Sequence, residues 1–184
     1  MKTRIAGLLL GGLLCATAHG QGTILFSTFV PGAANVDAPT RAPDGRGLGA
    51  YGGSAQLYLF SGGTYTALSP ATTFRMDSPA AEFYVVVPSQ AVVVPGIGAG
   101  EQATVVLRAW AGALSYEQAV GGGGILWGES APLTIILGST PAGGGAPLPP
   151  AFLSGLQTFT LVPEPSVTAL ALLGAALLWR KRKC

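Results

Sequence analysis

Glycine or proline interrupts the central part of this chain so often that no long unbroken helix fits into it. Residues 21 to 161 contain 23 glycines and 12 prolines, so 23 + 12 = 35 of the 161 − 20 = 141 positions are helix breakers. Proline removes a backbone donor and fixes φ, and a glycine inside a helix costs about 1 kcal/mol relative to alanine. A share this high approaches that of low-complexity disorder, but the breakers cluster as punctuation. Between them lie short runs rich in Val, Ile, Phe, Tyr and Thr, the residues that suit a pleated, half-buried surface.

These runs predict strands at Thr23–Val30, Ser54–Ser61, Thr64–Leu68, Thr72–Met76, Glu82–Val87, Ala91–Val94, Ala103–Trp110, Ala131–Leu137 and Leu156–Val162. In "ATVVLRAWA", Val105 and Leu107 take one face while Thr104, Arg108 and Trp110 take the other. "LYLFSGGTYTAL" predicts a hairpin in which Gly62 and Gly63 supply the positive φ of a tight turn. One short helix is expected at "LSYEQAV", capped by Ser115 with Gln118 three residues on and ended by Gly121. Many short strands with almost no helix predict an all-β domain, an antiparallel β-sandwich of jelly-roll or Ig-like type. No fixed-period repeat points to a propeller or solenoid. The stretch "PGAANVDAPTRAPDGRGLGAYGG" shows no strand pattern and is expected to be a long loop.

Both ends differ from this body. Lys2 and Arg4 precede the apolar run "IAGLLLGGLLCATA", and small residues follow at Ala16, Ala18 and Gly20. That is the pattern of a secretory signal peptide over residues 1–20, with cleavage after Ala18 or after Gly20. Leu14 stands before Cys15 where a lipoprotein signal wants a small residue. With the ends set aside, the body holds four arginines, no lysine and seven acids, giving 4 − 7 = −3, although the whole chain sums to +2. Such a body offers no basic patch to a phosphate backbone, so no nucleic-acid partner is expected.

The last 23 residues read "VPEPSVTALALLGAALLWRKRKC". Val167 to Trp179 gives 13 apolar or small residues, roughly 20 Å as a helix against a hydrocarbon core of about 30 Å. A short transmembrane helix is expected there. Arg180, Lys181, Arg182 and Lys183 form a basic stop that would hold the C-terminus on the cytoplasmic side. Pro163 and Pro165 forbid helix and would present Glu164 on extended backbone.

The ordered set Val162-Pro163-Glu164-Pro165, apolar run and basic stop resembles the PEP-CTERM sorting domain of Gram-negative bacteria. The resemblance covers residues 162–184 and leaves residues 21–161 as the body; the final Cys184 departs from many such tails. It implies export, recognition by an exosortase-type membrane transpeptidase, cleavage near the motif, and delivery to the cell surface or an exopolysaccharide matrix. Phrases such as "SAQLYLFSG" and "SAPLTIILG" are similar to uncharacterised β-sandwich proteins with the same tail, which implies no activity. The tail also occurs on some ice-binding proteins, but an ice-binding face needs a flat Thr array. Thr64 with Thr66 and Thr158 with Thr160 are isolated pairs.

Chemistry in the body is limited by what it lacks. Cys15, Cys184 and His19 all fall in or beside the end segments, so residues 21–161 hold no cysteine and no histidine. Ser–His and Cys–His nucleophiles cannot be built, and a zinc site would be unusual. "PGIGAGE" has dinucleotide-loop glycines without a following helix and is a turn. Asp37 and Asp44 could offer oxygen ligands to calcium, but "APDGRG" fits an Asp-Gly turn better. Two carboxylates would suffice for glycoside hydrolysis, and Glu82 with Glu101 or Glu117 with Glu129 are the candidate pairs. Sugar contact would fall to exposed aromatics, with Trp127 and Trp110 foremost and Tyr51, Tyr58 and Tyr65 behind them, unless these rings fill the core. No cofactor is expected. The expected function is non-catalytic, structural or adhesive, with exopolysaccharide as a partner. A carbohydrate-binding module or a carboxylate-based glycoside-active enzyme is the alternative.

Overall fold

The computed structural model describes residues 21–139 and 148–163. The expected signal peptide, Glu164, Pro165, the apolar run and Arg180 to Lys183 lie outside the described residues. Within them the chain is all-β with little helix. Seven strands have four residues or more: β1 (Gln21–Ile24), β2 (Ser54–Ser61), β3 (Thr64–Ala67), β4 (Val92–Gly98), β5 (Gln102–Ala111), β6 (Leu126–Glu129) and β7 (Leu133–Ile136).

The larger sheet runs β6-β5-β2-β3, with β7 pairing β5 beyond β6 and Val162–Pro163 closing the edge beside β6. Strand β5 is its spine, because its two halves pair β7 and β6 in turn while β2 lies along its other side. The smaller sheet sets β1 between β4 and Gly138–Ser139. Every pairing in these two sheets is antiparallel, and the two-residue pair Thr40–Arg41 with Phe159–Thr160 is parallel.

Period-two alternation decides the packing. Leu57 on β2 and Val105, Leu107 and Ala109 on β5 share one buried cluster with Ile24, Val92 and Val94 of the smaller sheet. Each large aliphatic side chain removed from water there contributes roughly 1.5–3 kcal/mol. The other face of β2 and β5 carries Tyr58, Arg108 and Trp110, as the alternation predicts.

The hairpin between β2 and β3 turns at Gly62 and Gly63 with φ of 56° and 81°, the positive values expected. Several boundaries differ from expectation. Glu82–Val87 is no strand; only a single bridge joins Val85 to Phe74. Glu82 instead sits in a turn with its carboxylate accepting the Gly47 N–H at 3.0 Å, and Pro88 ends any ladder. Thr72–Met76 shrinks to Thr72–Thr73, and Thr23–Val30 divides into β1 and Phe29–Val30. Ala91–Val94 lengthens to β4, so the first half of "PGIGAGE" is strand. Leu156–Val162 becomes Phe159–Thr160 and Val162–Pro163. The expected long loop contains Val36–Asp37, Thr40–Arg41 and a helical turn at Leu48–Tyr51. Strand β6 was not foreseen.

The expected helix is one turn, Tyr116–Gln118, that widens through Ala119–Gly123. Ser115 caps it by accepting the Gln118 N–H at 3.2 Å. The return bond of the expected capping box is displaced by one residue, since Gln118 Oε1 accepts from the Leu114 N–H rather than from Ser115.

Candidate functional site

The outer face of the larger sheet gathers three tyrosine rings and two carboxylates around one guanidinium. Register places Arg108 of β5 between Gln56 of β2 and Glu129 of β6. Tyr58 comes from β2, Tyr65 from β3 and Tyr116 from the helical turn. The Arg108 guanidinium carbon lies 3.8 Å from the Tyr65 ring centre and 4.6 Å from those of Tyr58 and Tyr116. Its Nε donates to Glu129 at 2.9 Å, and one terminal nitrogen is 3.8 Å from Glu117. The planar, delocalised guanidinium stacks on aromatic faces while its edge bonds carboxylates, a combination that lysine cannot supply.

Trp110 and Trp127 are cross-strand partners. Tyr116 covers both edge-on, with ring centres 6.5 and 6.3 Å away. Trp110 is 3% exposed and its Nε1 donates to the Ala113 carbonyl, so its ring is core filling. Tyr58 is buried as well, and its hydroxyl donates to Glu117 at 2.8 Å. Of the five candidate sugar contacts, Tyr51, Tyr65 and Trp127 are half-buried and keep some ring surface in water.

Glu117 and Glu129 both approach Arg108, at 3.8 and 2.9 Å. Burial pushes the Glu117 carboxyl up from its ordinary 4.5, but its own backbone N–H, the Tyr58 and Ser115 hydroxyls and Arg108 outweigh that and hold it lower. A general acid needs the opposite shift. Glu82 and Glu101 have separate partners: Glu82 bonds Gly47, and Glu101 accepts the Gly98 N–H at 2.7 Å. Asp37 accepts from Tyr84 at 2.8 Å, and Asp44 accepts from Tyr51 at 2.5 Å. Among the described residues, no three His, Cys, Asp or Glu side chains gather where they could hold a metal. Two open grooves can be named among the described residues. One of about 390 Å³ is lined by Tyr51, Gly112, Leu114 and Gln118, and one of about 320 Å³ by Gln21, Ile97 and Glu101.

The tyrosines give the fold an alkaline limit. Burial, then Glu129, pushes Tyr116 up to about 12 from an ordinary 10, and burial together with the Glu117 bond raises Tyr58. Burial and Asp37 raise Tyr84 as well. A group with a raised folded value contributes stability that is complete below its unfolded value and lost as pH rises through the folded one. The urea midpoint is therefore expected to hold up to about pH 10 and to fall towards about pH 12. Tyrosinate absorbance should rise with the loss. A midpoint that drops before any tyrosinate forms would contradict this assignment.

Comparison with protein families, with curated proteins and with solved structures finds no match for this chain. Sequence reasoning named Tyr58, Tyr65 and Trp110 as candidate sugar contacts and Glu117 with Glu129 as a candidate pair, but missed the arginine that joins them. The available signal was an arginine at an alternate position of the longest strand, two residues from a tryptophan.

Proposed function

We propose that this chain is an exported, non-catalytic surface or extracellular-matrix protein, delivered through its C-terminal motif. Its body is a β-sandwich of jelly-roll or Ig-like type, and its work is structural or adhesive, in contact with exopolysaccharide. The sandwich reading is supported by the two sheets' shared core. The observation that carries the sorting reading is the order of the C-terminus: Val162 and Pro163 form the last edge strand, and Glu164, Pro165, the apolar run and the four cations follow directly. The motif thus begins in the last described strand. Its expected partners are an exosortase-type membrane transpeptidase and the membrane itself. Chemistry weighs against the carboxylate-based enzyme, because Glu117 and Glu129 are both committed to Arg108.

The test is Glu164→Ala in the native host. The wild type is expected at the cell surface or in the matrix, and the variant is expected to accumulate in the inner membrane. Identical fractionation of the two would contradict sorting through this motif.

A further inference from the structure

The last described strand, Val162–Pro163, points towards one end of the larger sheet. Pro163 is paired with Leu126 and Val162 with Trp127, so the antiparallel edge strand points past Leu126 towards Ile125. The same end holds the close of β5, since Ala111 pairs Leu126, and the loop that follows. In that loop Leu114 is 93% exposed, Ile125 58% and Val120 47%. Ile125 lies over Gly112, where an added Cβ would meet its side chain at 2.6 Å. Single exposed aliphatics are ordinary, but here three stand within twelve residues (125 − 114 + 1 = 12) beside the chain exit. The one charge between them, Glu117, is turned to Tyr58 and Arg108.

We infer that Leu114, Val120 and Ile125 form a bilayer-docking surface that seats the domain on the leaflet its C-terminal segment enters. The occupant is set by the length of the connection, and the inference rests on the tail being membrane-spanning. From Pro163 to Val167 is four residues, at most about 14 Å when extended. The headgroup layer on each side of the hydrocarbon is only about 6 Å deep. The end of the domain at Pro163 is therefore held within reach of the acyl boundary, and apolar side chains there enter it as those of interfacial segments do, by about 5–10 Å. The cluster presents no lysine or arginine, so its attraction is apolar and does not depend on anionic lipid. The opposite end of β5 gives a control: Ile136 pairs Gln102 and is 63% exposed. It lies about 30 Å from Ala111 along the strand.

The test uses the signal-processed chain with its tail, in vesicles of phosphatidylethanolamine and phosphatidylglycerol, with Cys184→Ser to clear the background. Single probes sensitive to polarity are placed through Leu114→Cys, Ile125→Cys, Thr73→Cys and Ile136→Cys, with Ala171→Cys reporting the tail. Thr73 pairs Ser54 at the same end of the sheet, with β2 between it and β5. Probes at 114 and 125 should shift to the blue and be quenched by an acyl-chain nitroxide, while those at 73 and 136 stay as in water. Equal response at all four sites, with the tail probe quenched, would mean a domain tumbling on its leash and would overturn docking alone. An unquenched tail probe would overturn the membrane-spanning reading and the docking with it.

Discussion

Arg108→Met is expected to cost about 3 kcal/mol of stability, the largest loss from any one polar side chain in the domain. Its side chain is 12% exposed while Glu117 is 62% and Glu129 39% exposed. Removing one partner of a buried ion pair costs about 3–5 kcal/mol, but exposed carboxylates recover water and soften the loss. The three ring contacts restore part of the figure, since each cation–π stack contributes roughly 0.5–2 kcal/mol according to burial. Arg108→Lys keeps the charge and loses the planar stack, and should fall about midway. Glu117→Gln should cost about 1 kcal/mol or less, because its neighbours can still bond an amide. Urea unfolding of the three variants checks the order. A loss below about 1 kcal/mol for Arg108→Met would mean that the rings hold their places without the guanidinium between them.

Phe74→Ala should cost about 4 kcal/mol, within the usual range for a fully buried phenylalanine. Phe74 is 1% exposed and belongs to the main core cluster. Its N–H donates to the carbonyl of Gly53, the residue before β2, and its backbone bridges Val85, so one residue ties an irregular stretch to the entry of β2 and to the turn that follows. The cavity would open where no continuous ladder holds the backbone. Amide exchange should then speed up over residues 72–86 ahead of β5. A uniform rise across β2 and β5 instead would mean that this stretch unfolds only with the whole domain.

The long alternating elements were legible in the sequence. β2 matches its expected bounds, and β5 exceeds its own by one residue at each end. Gly62-Gly63 announced the hairpin because only positive φ closes so tight a turn. β6 was hidden by its length of four and by Gly128, which weakens a strand signal. The structure gives that glycine a reason: a Cβ there would sit 3.1 Å from the Leu161 backbone. Val85, Val86 and Val87 suggested a strand, but the buried Glu82 carboxylate and its bond to Gly47 fix a turn that no local pattern encodes. The Arg108 cluster draws on residues 58, 65, 108 and 129, which the register of four strands brings together, and on residues 116 and 117 of the helical turn.

The intact mass of the protein recovered from its native host, from matrix and inner membrane separately, reads both ends of the chain at once. A matrix or surface form is expected that begins after Ala18 or Gly20 and ends near Pro165, with the residues from Val167 onward removed. A single full-length species ending at Cys184 and held in the inner membrane would contradict it. The tail would then be a permanent anchor and the domain a resident of the membrane face.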